Sequence, residues 1–408
     1  MKNLFKKYVL AFIILNAQQA FSQIPISLET AVDKAFQNNL TLQNGLLRIE
    51  YQDRIRSSYR EIEPLQITAE LGQMNSIYFD NRFSATQTFR LPKFYNAQKM
   101  VLEEEWKNAG MHLEIQKWQL RKELALIYNN LNYLDEKEKL LQQADSIYRN
   151  FFRNAELRLK AGESSILEKT TAEAYRSEAQ MQLNGIRKDR EILLFQFNNL
   201  INGSEKFTNE SGSFFSQDLM PLPENFGENS FVLRQLQQQK NIENARLEAE
   251  KAKLLPSFSI GVNSMTMKGA GADNKEYDYS KRFHSAQIGV AIPLFTGAQK
   301  SVIEGQKINQ QIAENNYAIG LKQLQNQYAQ SFGEFEKLKS EVDYYKTAGI
   351  ANAEKILFTA NLLLKEGETD YLEYSILVNQ ALEIKNKYID AQKLLNEKII
   401  ELNALHNQ

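Results

Sequence analysis

The sequence predicts a mainly α protein with four β-strands, in which one unit of helix, β-hairpin, long helix and returning helix is built twice. Three observations predict it. Leu91-Pro-Lys-Phe-Tyr-Asn-Ala-Gln-Lys99 and Ile292-Pro-Leu-Phe-Thr-Gly-Ala-Gln-Lys300 share one pattern at an offset of 201 residues. Leu159-Lys-Ala-Gly-Glu-Ser-Ser-Ile-Leu-Glu168 and Leu364-Lys-Glu-Gly-Glu-Thr-Asp-Tyr-Leu-Glu373 echo one another at an offset of 205, so the repeat is a whole architecture and not a short solenoid unit. Finally, 408 residues hold only 7 Pro and 18 Gly, and no Pro falls inside the stretches read as long helices, whose interiors exclude it.

The chain opens with Lys2, Lys6 and Lys7, an apolar run from Tyr8 to Leu15, and Ala20-Phe21-Ser22, the pattern of a signal peptide over residues 1–22. The mature chain then has 46 basic against 50 acidic residues, a balance that gives nucleic acid no strong field to bind. With no Cys there is no disulfide framework and no lipid-modified Cys, so packing and assembly must supply the stability. No later apolar run approaches the roughly 20 residues of a membrane helix, and a span without one requires a closed β-barrel.

Residues 23–204 form the first repeat. Ser27 caps a helix expected to run to about Ile62, ahead of Pro64. Leu65–Tyr78 and Phe83–Leu91 lack helical spacing, are rich in Thr, Phe and Ile, and flank Asp80-Asn81, which predicts a hairpin. From Lys93 to Lys160 the apolar residues Leu120, Leu124, Ile127, Leu131 and Leu134 step 4-3-4-3, a heptad seam on a helix on the order of 100 Å long. Gly162 ends it, and a returning helix spans about Ser164–Leu200. Residues 205–230, rich in Ser, Asn, Gly and Pro, form the linker.

Residues 231–408 repeat the plan: a helix from Phe231 to about Leu255, strands near Phe258–Met267 and Phe283–Ile292, a long helix from about Gln299 to Lys365 broken by Gly367, and a last helix to about Leu405. The polar stretch Lys268–Ser280 between the strands reads as a solvent-facing loop. Ile288, Val290 and Ile292 alternate with Gln287, Gly289 and Ala291, as in a strand with one oily and one wet face. Small barrels need about 8 strands, so four strands that cross a membrane must be joined by strands of other chains.

This order of elements resembles the TolC-type outer-membrane efflux proteins over the whole mature chain. The residues that carry the resemblance are Ser27-Leu-Glu-Thr-Ala-Val-Asp-Lys-Ala-Phe-Gln-Asn-Asn-Leu40, Leu255-Pro-Ser-Phe-Ser259, Ala291-Ile-Pro-Leu-Phe-Thr-Gly297, and the two Lys-x-Gly-Glu turns that end at Glu163 and Glu368. The resemblance implies a homotrimer in which four strands from each protomer form one twelve-stranded barrel in outer-membrane lipid. Long coiled-coil helices would continue it as an α-barrel through the periplasm. It implies a passive exit duct that docks on a periplasmic adaptor (membrane fusion) protein, itself joined to an inner-membrane pump. Glu70–Tyr78 and Leu157–Glu173 look most like the branch serving heavy-metal resistance-nodulation-division (RND) pumps, among them copper/silver and cobalt/zinc/cadmium systems. That branch implies export of metal cations. The same fold also serves drug efflux and type I secretion, and a periplasmic coiled-coil scaffold or adaptor is the rival that never enters a membrane.

By the same resemblance, the reversals at Gly162, Glu163, Gly367 and Glu368 are the periplasmic tips that meet the adaptor. Glu168 and Glu373 match places that hold Asp in the family prototype, which makes them candidate aperture acids, and a three-fold axis would gather three Glu373 carboxylates. No cofactor or metal site is expected, because His112, His284 and His406 stand far apart with no ligand at metal spacing. Met265 and Met267 read as barrel surface. No phosphate loop, nucleophile elbow or His-Glu-x-x-His pattern occurs, so no enzyme is indicated.

Overall fold

The computed structural model describes residues 23–74, 77–210, 212, 214, 218–220 and 230–406; the expected signal peptide and most of residues 211–229 of the linker lie outside the described residues. In chain order the elements are β1 Ile24–Ile26, α1 Leu28–Asn38, α2 Leu40–Arg56, β2 Gln66–Gly72, β3 Asp80–Arg90, α3 Pro92–Ala161, α4 Ile166–Ile201, β4 Phe207–Asn209 and α5 Phe231–Ala252. There follow β5 Ser257–Thr266, β6 Gly269–Ala270, β7 Glu276–Tyr277, β8 Arg282–Ala291, α6 Gly297–Tyr344, α7 Ile350–Glu366 and α8 Tyr371–His406.

The chain divides into two compact units, each drawing residues from both halves of the sequence. One holds the described residues of Met1–Asn44, Glu114–Ser230 and Lys322–Gln408. Its core is the heptad seam: Leu120, Leu124, Ile127, Leu131 and Leu134 of α3 are all buried. The seam continues through Leu140, Ala144, Tyr148, Phe151 and Ala155, which cluster with Ala353, Leu357 and Ala360 of α7 and with Val378 and Ala381 of α8. Small residues at alternate seam positions let the helices approach closely, while each fully buried Leu contributes about 1.5–3 kcal/mol.

Several polar groups inside this unit are paired across helices. Lys137 of α3, almost fully buried, meets Asp390 of α8 at 2.7 Å, and the Tyr133 hydroxyl donates to the same carboxylate at 2.8 Å. Asn396, with no exposure, donates to Asn129 Oδ1 at 3.0 Å and to the Phe214 carbonyl at 2.6 Å, tying part of the linker to the core. Asn209 of β4 likewise donates to Asn132 and Asp135, both at 2.7 Å. Paired polar groups at such depth fix register, because an unpaired partner would carry the desolvation cost alone.

The structure corrects three expectations. The helix expected from Ser27 to Ile62 breaks at Asn39, which is extended (φ −67°, ψ 122°); its side chain accepts from the Thr41 N–H at 2.9 Å and donates to the Leu200 carbonyl at 3.0 Å, so it caps a second helix and ties it to α4. The helix expected to run unbroken to Lys365 contains a π turn at Tyr345–Gly349. There the Thr347 hydroxyl donates back to the Asp343 carbonyl at 2.7 Å, and the missing side chain of Gly349 makes room for the Tyr345 ring. Two three-residue strands were not anticipated: β1 pairs in parallel with β4, Ile24 opposite Phe207.

The second unit holds Gly45–Leu113 and Phe231–Leu321. Its sheet has the order β2-β3-β5-β8, antiparallel throughout. The polar stretch between β5 and β8 forms a small ribbon of β6 and β7, closed by Asn274 in the left-handed region at φ 61°. The helices of this unit join through repeated amide clamps: Gln238 donates to the Glu104 carbonyl and carboxylate at 2.9 and 2.6 Å, and Gln299 to those of Glu250 at 2.9 and 2.8 Å.

Candidate functional site

The four strands sort their side chains by face. Register places Ile67, Ala85, Val262 and Ala286 in one row, and Gln87, Ile260 and Ile288 in another. A third row holds Phe89, Phe258 and Val290. These rows share one face, and its large apolar residues are exposed: Ile67 at 73%, Ile260 and Val262 at 58%, Ile288 at 82%. On the opposite face lie Gln66, Thr86, Gly261 and Gln287, then Thr68, Ser84, Asn263 and Ser285, then Thr88, Ser259 and Gly289. A ten-residue strand rises about 33 Å and, tilted about 40°, spans the roughly 25 Å apolar band of an outer-membrane barrel.

Crowding marks the polar face. A Cβ on Gly289 would come within 2.5 Å of Ser259 Oγ, and one on Gly261 within 2.9 Å of Thr86 Oγ1. Both glycines belong to the polar face, where they leave room for the hydroxyl side chains of the neighbouring strands. Its two strand-borne arginines are neutralised: Arg82 meets Glu70 at 2.8 Å, and Arg90 meets Glu63 at 3.2 Å. The edge strands β2 and β8 have no strand on their outer sides among the described residues. Met265 pairs with Arg82 and Phe283, so it lies on the polar face, in contrast to the barrel-surface expectation; β5 ends before Met267.

At the turn end of the sheet, the Asp80 carboxylate is wholly buried and accepts from the Thr266 hydroxyl at 2.9 Å and the Lys268 N–H at 3.1 Å. Lys268 Nζ lies 4.7 Å from the Tyr78 ring and 4.8 Å from that of Tyr279, so it joins the two turns. Sequence reasoning took Asp80 only as a turn residue, since nothing local reveals a bond to Thr266.

The helix reversals lie in the first unit. Gly162 and Gly367 stand at φ 77° and 76°, a conformation that favours glycine. The Glu163 N–H donates to the Arg158 carbonyl at 2.9 Å and the Glu368 N–H to that of Leu363 at 2.9 Å, so both reversals end in the same hydrogen-bonded motif. Each returning helix then starts alike. The Glu168 N–H donates to Ser165 Oγ at 3.3 Å and the Glu373 N–H to Asp370 Oδ1 at 2.8 Å. Their carboxylates accept from Ser164 Oγ at 2.6 Å and Thr369 Oγ1 at 2.9 Å. Both acids therefore sit in the first turn of a helix, where the dipole favours them. Glu373 is exposed and Glu168 half-buried.

The reversals meet one another. Arg158 lies 4.9 Å over the Tyr371 ring, and its guanidinium also donates to the Glu163 carbonyl at 3.1 Å. Phe151 stacks on Tyr371 with centroids 5.2 Å apart and meets Tyr374 edge-on at 6.1 Å. Burial, with Tyr371 beside it, pushes the Tyr374 phenol up, and its hydroxyl donates to Asn361 at 2.9 Å. Aromatic pairs of this kind contribute about 0.5–1.5 kcal/mol each beyond their buried area. No signal in the sequence marked Phe151 and Tyr371 as partners, because they belong to different repeats.

No family model matches the chain, and no curated protein matches it. Solved structures do match in fold. CusC, described through its folding and transmembrane channel formation, is similar with a TM-score of 0.78 and 15% identity, over 95% of this chain and 94% of that one. The CmeC outer-membrane channel of Campylobacter jejuni gives 0.77 and 15%, over 95% and 89%. The open state of the Neisseria gonorrhoeae MtrE outer-membrane channel gives 0.74 and 15%, over 93% and 88%. The likeness runs over nearly the full length of each, and the chain has the fold of these channel proteins.

Proposed function

We propose that the protein is an outer-membrane efflux channel, the passive exit duct of a tripartite pump. The observation that carries this reading is the four-stranded sheet, with large apolar residues exposed on one face, small and polar residues on the other, and both edges open among the described residues. A sheet of this kind is stable in lipid only when its edges are closed. Pairing β2 of one copy with β8 of the next closes it, and three copies give the twelve strands that the TolC-type resemblance implies. The polar face then lines a polar lumen with no enzyme chemistry required.

In this reading the reversals at Gly162, Glu163, Gly367 and Glu368 face a periplasmic adaptor coupled to an inner-membrane RND-type pump. Glu168 and Glu373 stand near the periplasmic aperture, where Glu373 carboxylates gathered by the three-fold axis attract cations. The resemblance of Glu70–Tyr78 and Leu157–Glu173 to the heavy-metal branch supports metal cations as cargo. Loss of the gene should then lower tolerance to copper, silver, cobalt, zinc or cadmium more than tolerance to drugs; the reverse ranking would make the channel a drug duct.

Membrane fractionation with heated and unheated gel electrophoresis tests the main reading. An outer-membrane species that migrates as about three chains until boiled supports it. A soluble periplasmic species of one chain overturns it in favour of a scaffold.

A further inference from the structure

The three arginines on the long strands differ in one respect. Arg82 and Arg90 each have a carboxylate partner, whereas Arg282, the first residue of β8, has none among the described residues. Its Nε donates to Ser264 Oγ at 2.8 Å, one terminal nitrogen to Asn81 Oδ1 at 2.7 Å, and the other to the Ser264 carbonyl at 2.8 Å. All three acceptors are neutral. They fix the guanidinium without cancelling its charge, and two of its five N–H groups remain available.

Position gives that charge a meaning. Arg282 shares its register row with Asn81 and Thr266, on the same face as Phe83 and His284 one row along. It therefore stands at the turn-end margin of the exposed apolar band, with the Phe83 ring 5.2 Å below it. Beneath lies a trough of about 630 Å³ floored by Ala85, Val262 and Ala286 and flanked by Phe83, Ser264 and His284. Small residues there leave room for a chain between the larger side chains on either side. A fixed, uncompensated guanidinium above an apolar trough is complementary to one amphipathic chemistry: an anionic phosphate headgroup joined to an acyl chain.

We propose that Arg282 and this trough form a binding site for a phosphate-bearing anionic lipid, the headgroup on the two free N–H groups and an acyl chain along Ala85, Val262 and Ala286. The site rests on the reading that the apolar face meets lipid. A ligand there would cover a charge that has no carboxylate partner among the described residues and hold β8, an edge strand, at the membrane boundary.

The test is native mass spectrometry of the oligomer purified in nonionic detergent, with dioleoylphosphatidylglycerol added. The wild type should retain the lipid through detergent exchange, and R282Q should retain about 10- to 150-fold less, the loss expected when one charge-assisted pair of about 1.5–3 kcal/mol is removed. R82Q, on the polar face, should retain it like the wild type. Equal retention by the wild type and R282Q overturns the proposal, as does displacement of the lipid by millimolar inorganic phosphate, which would make the site a free-anion site. An unheated gel of each variant separates this from failure of the channel reading: if the wild type itself forms no heat-sensitive oligomer, the membrane assignment fails first; if it does and R282Q matches its lipid retention, only the lipid site fails.

Discussion

Ile288 and Gln287 are neighbours on β8, both exposed and on opposite faces, which makes them a matched pair for one substitution. Ile288 lies on the apolar face within the length of β8 and is 82% exposed in the single chain. If that face meets hydrocarbon, Ile288→Arg places a guanidinium at the bilayer midplane at a cost of about 2–4 kcal/mol per protomer, or roughly 30- to 1,000-fold in the folding equilibrium. Three copies in one barrel raise this to about 6–12 kcal/mol per assembly. Gln287→Arg sends the same side chain into a water-filled lumen and should cost less than about 1 kcal/mol. The assay is urea unfolding of protein refolded into phosphatidylcholine vesicles, followed by mobility on unheated gels. A midpoint lowered strongly for Ile288→Arg and little for Gln287→Arg is expected. Equal midpoints for the two variants would refute a lipid-facing sheet, because a water-exposed face tolerates either arginine.

Other outcomes follow from the first unit. Gly162→Ala and Gly367→Ala should each destabilise by about 1–2 kcal/mol in denaturant melts followed by circular dichroism; a Cβ at either site meets no atom within 4 Å, so the cost is that of the left-handed backbone alone, and Asn should recover much of it. Leu131→Ala, at a fully buried seam position, should cost about 2–5 kcal/mol in the same melts. Glu373→Gln should lower the preference for potassium over chloride in planar-bilayer recordings, and Glu168→Gln should lower it less; an unchanged ratio in both would remove the acids from the aperture. The hydrogen bond from Lys398 holds the Glu334 carboxyl below its ordinary value of 4.5. A lowered carboxylate stabilises the fold above that ordinary value and loses the contribution as pH falls through the lowered one. Thermal midpoints should therefore fall more steeply on acidification below about pH 4.5 for the wild type than for Glu334→Gln.

Much of this architecture was legible because it is written in periodicity. The 4-3 steps from Leu120 to Leu134 reflect a seam that any long antiparallel pairing must bury, and the structure buries all five residues. The alternation at Ile288, Val290 and Ile292 marked an oily face for the same reason. What the sequence hid depends on contacts distant along the chain. Asn39 looks like a helix interior until Leu200 is placed beside it, and the three-residue β1 has no pattern of its own without Phe207. Nothing local marks Asn129, Asn209 and Asn396 as interior residues, although all three are buried. At the reversals, the Gly and Glu spacing marks turns, and the pairing of Ser164 with Glu168 and of Thr369 with Glu373 shows why an acid recurs there on capping grounds alone. Arg282 escaped notice because an arginine at the start of a strand is ordinary; its lack of a carboxylate partner among the described residues is visible only in three dimensions.

The chain contains no Cys, so introduced pairs report without background. The most direct measurement of the shared barrel combines Ser285→Cys on β8 with Gln66→Cys, Thr68→Cys or Glu70→Cys on β2, all on the polar face, followed by oxidation of intact outer membranes and non-reducing gels. A barrel closed between copies predicts that at least one pair yields cross-linked species of two and three chains and nothing larger. No chain-to-chain bond in any pair, or a ladder that continues beyond three, would contradict it.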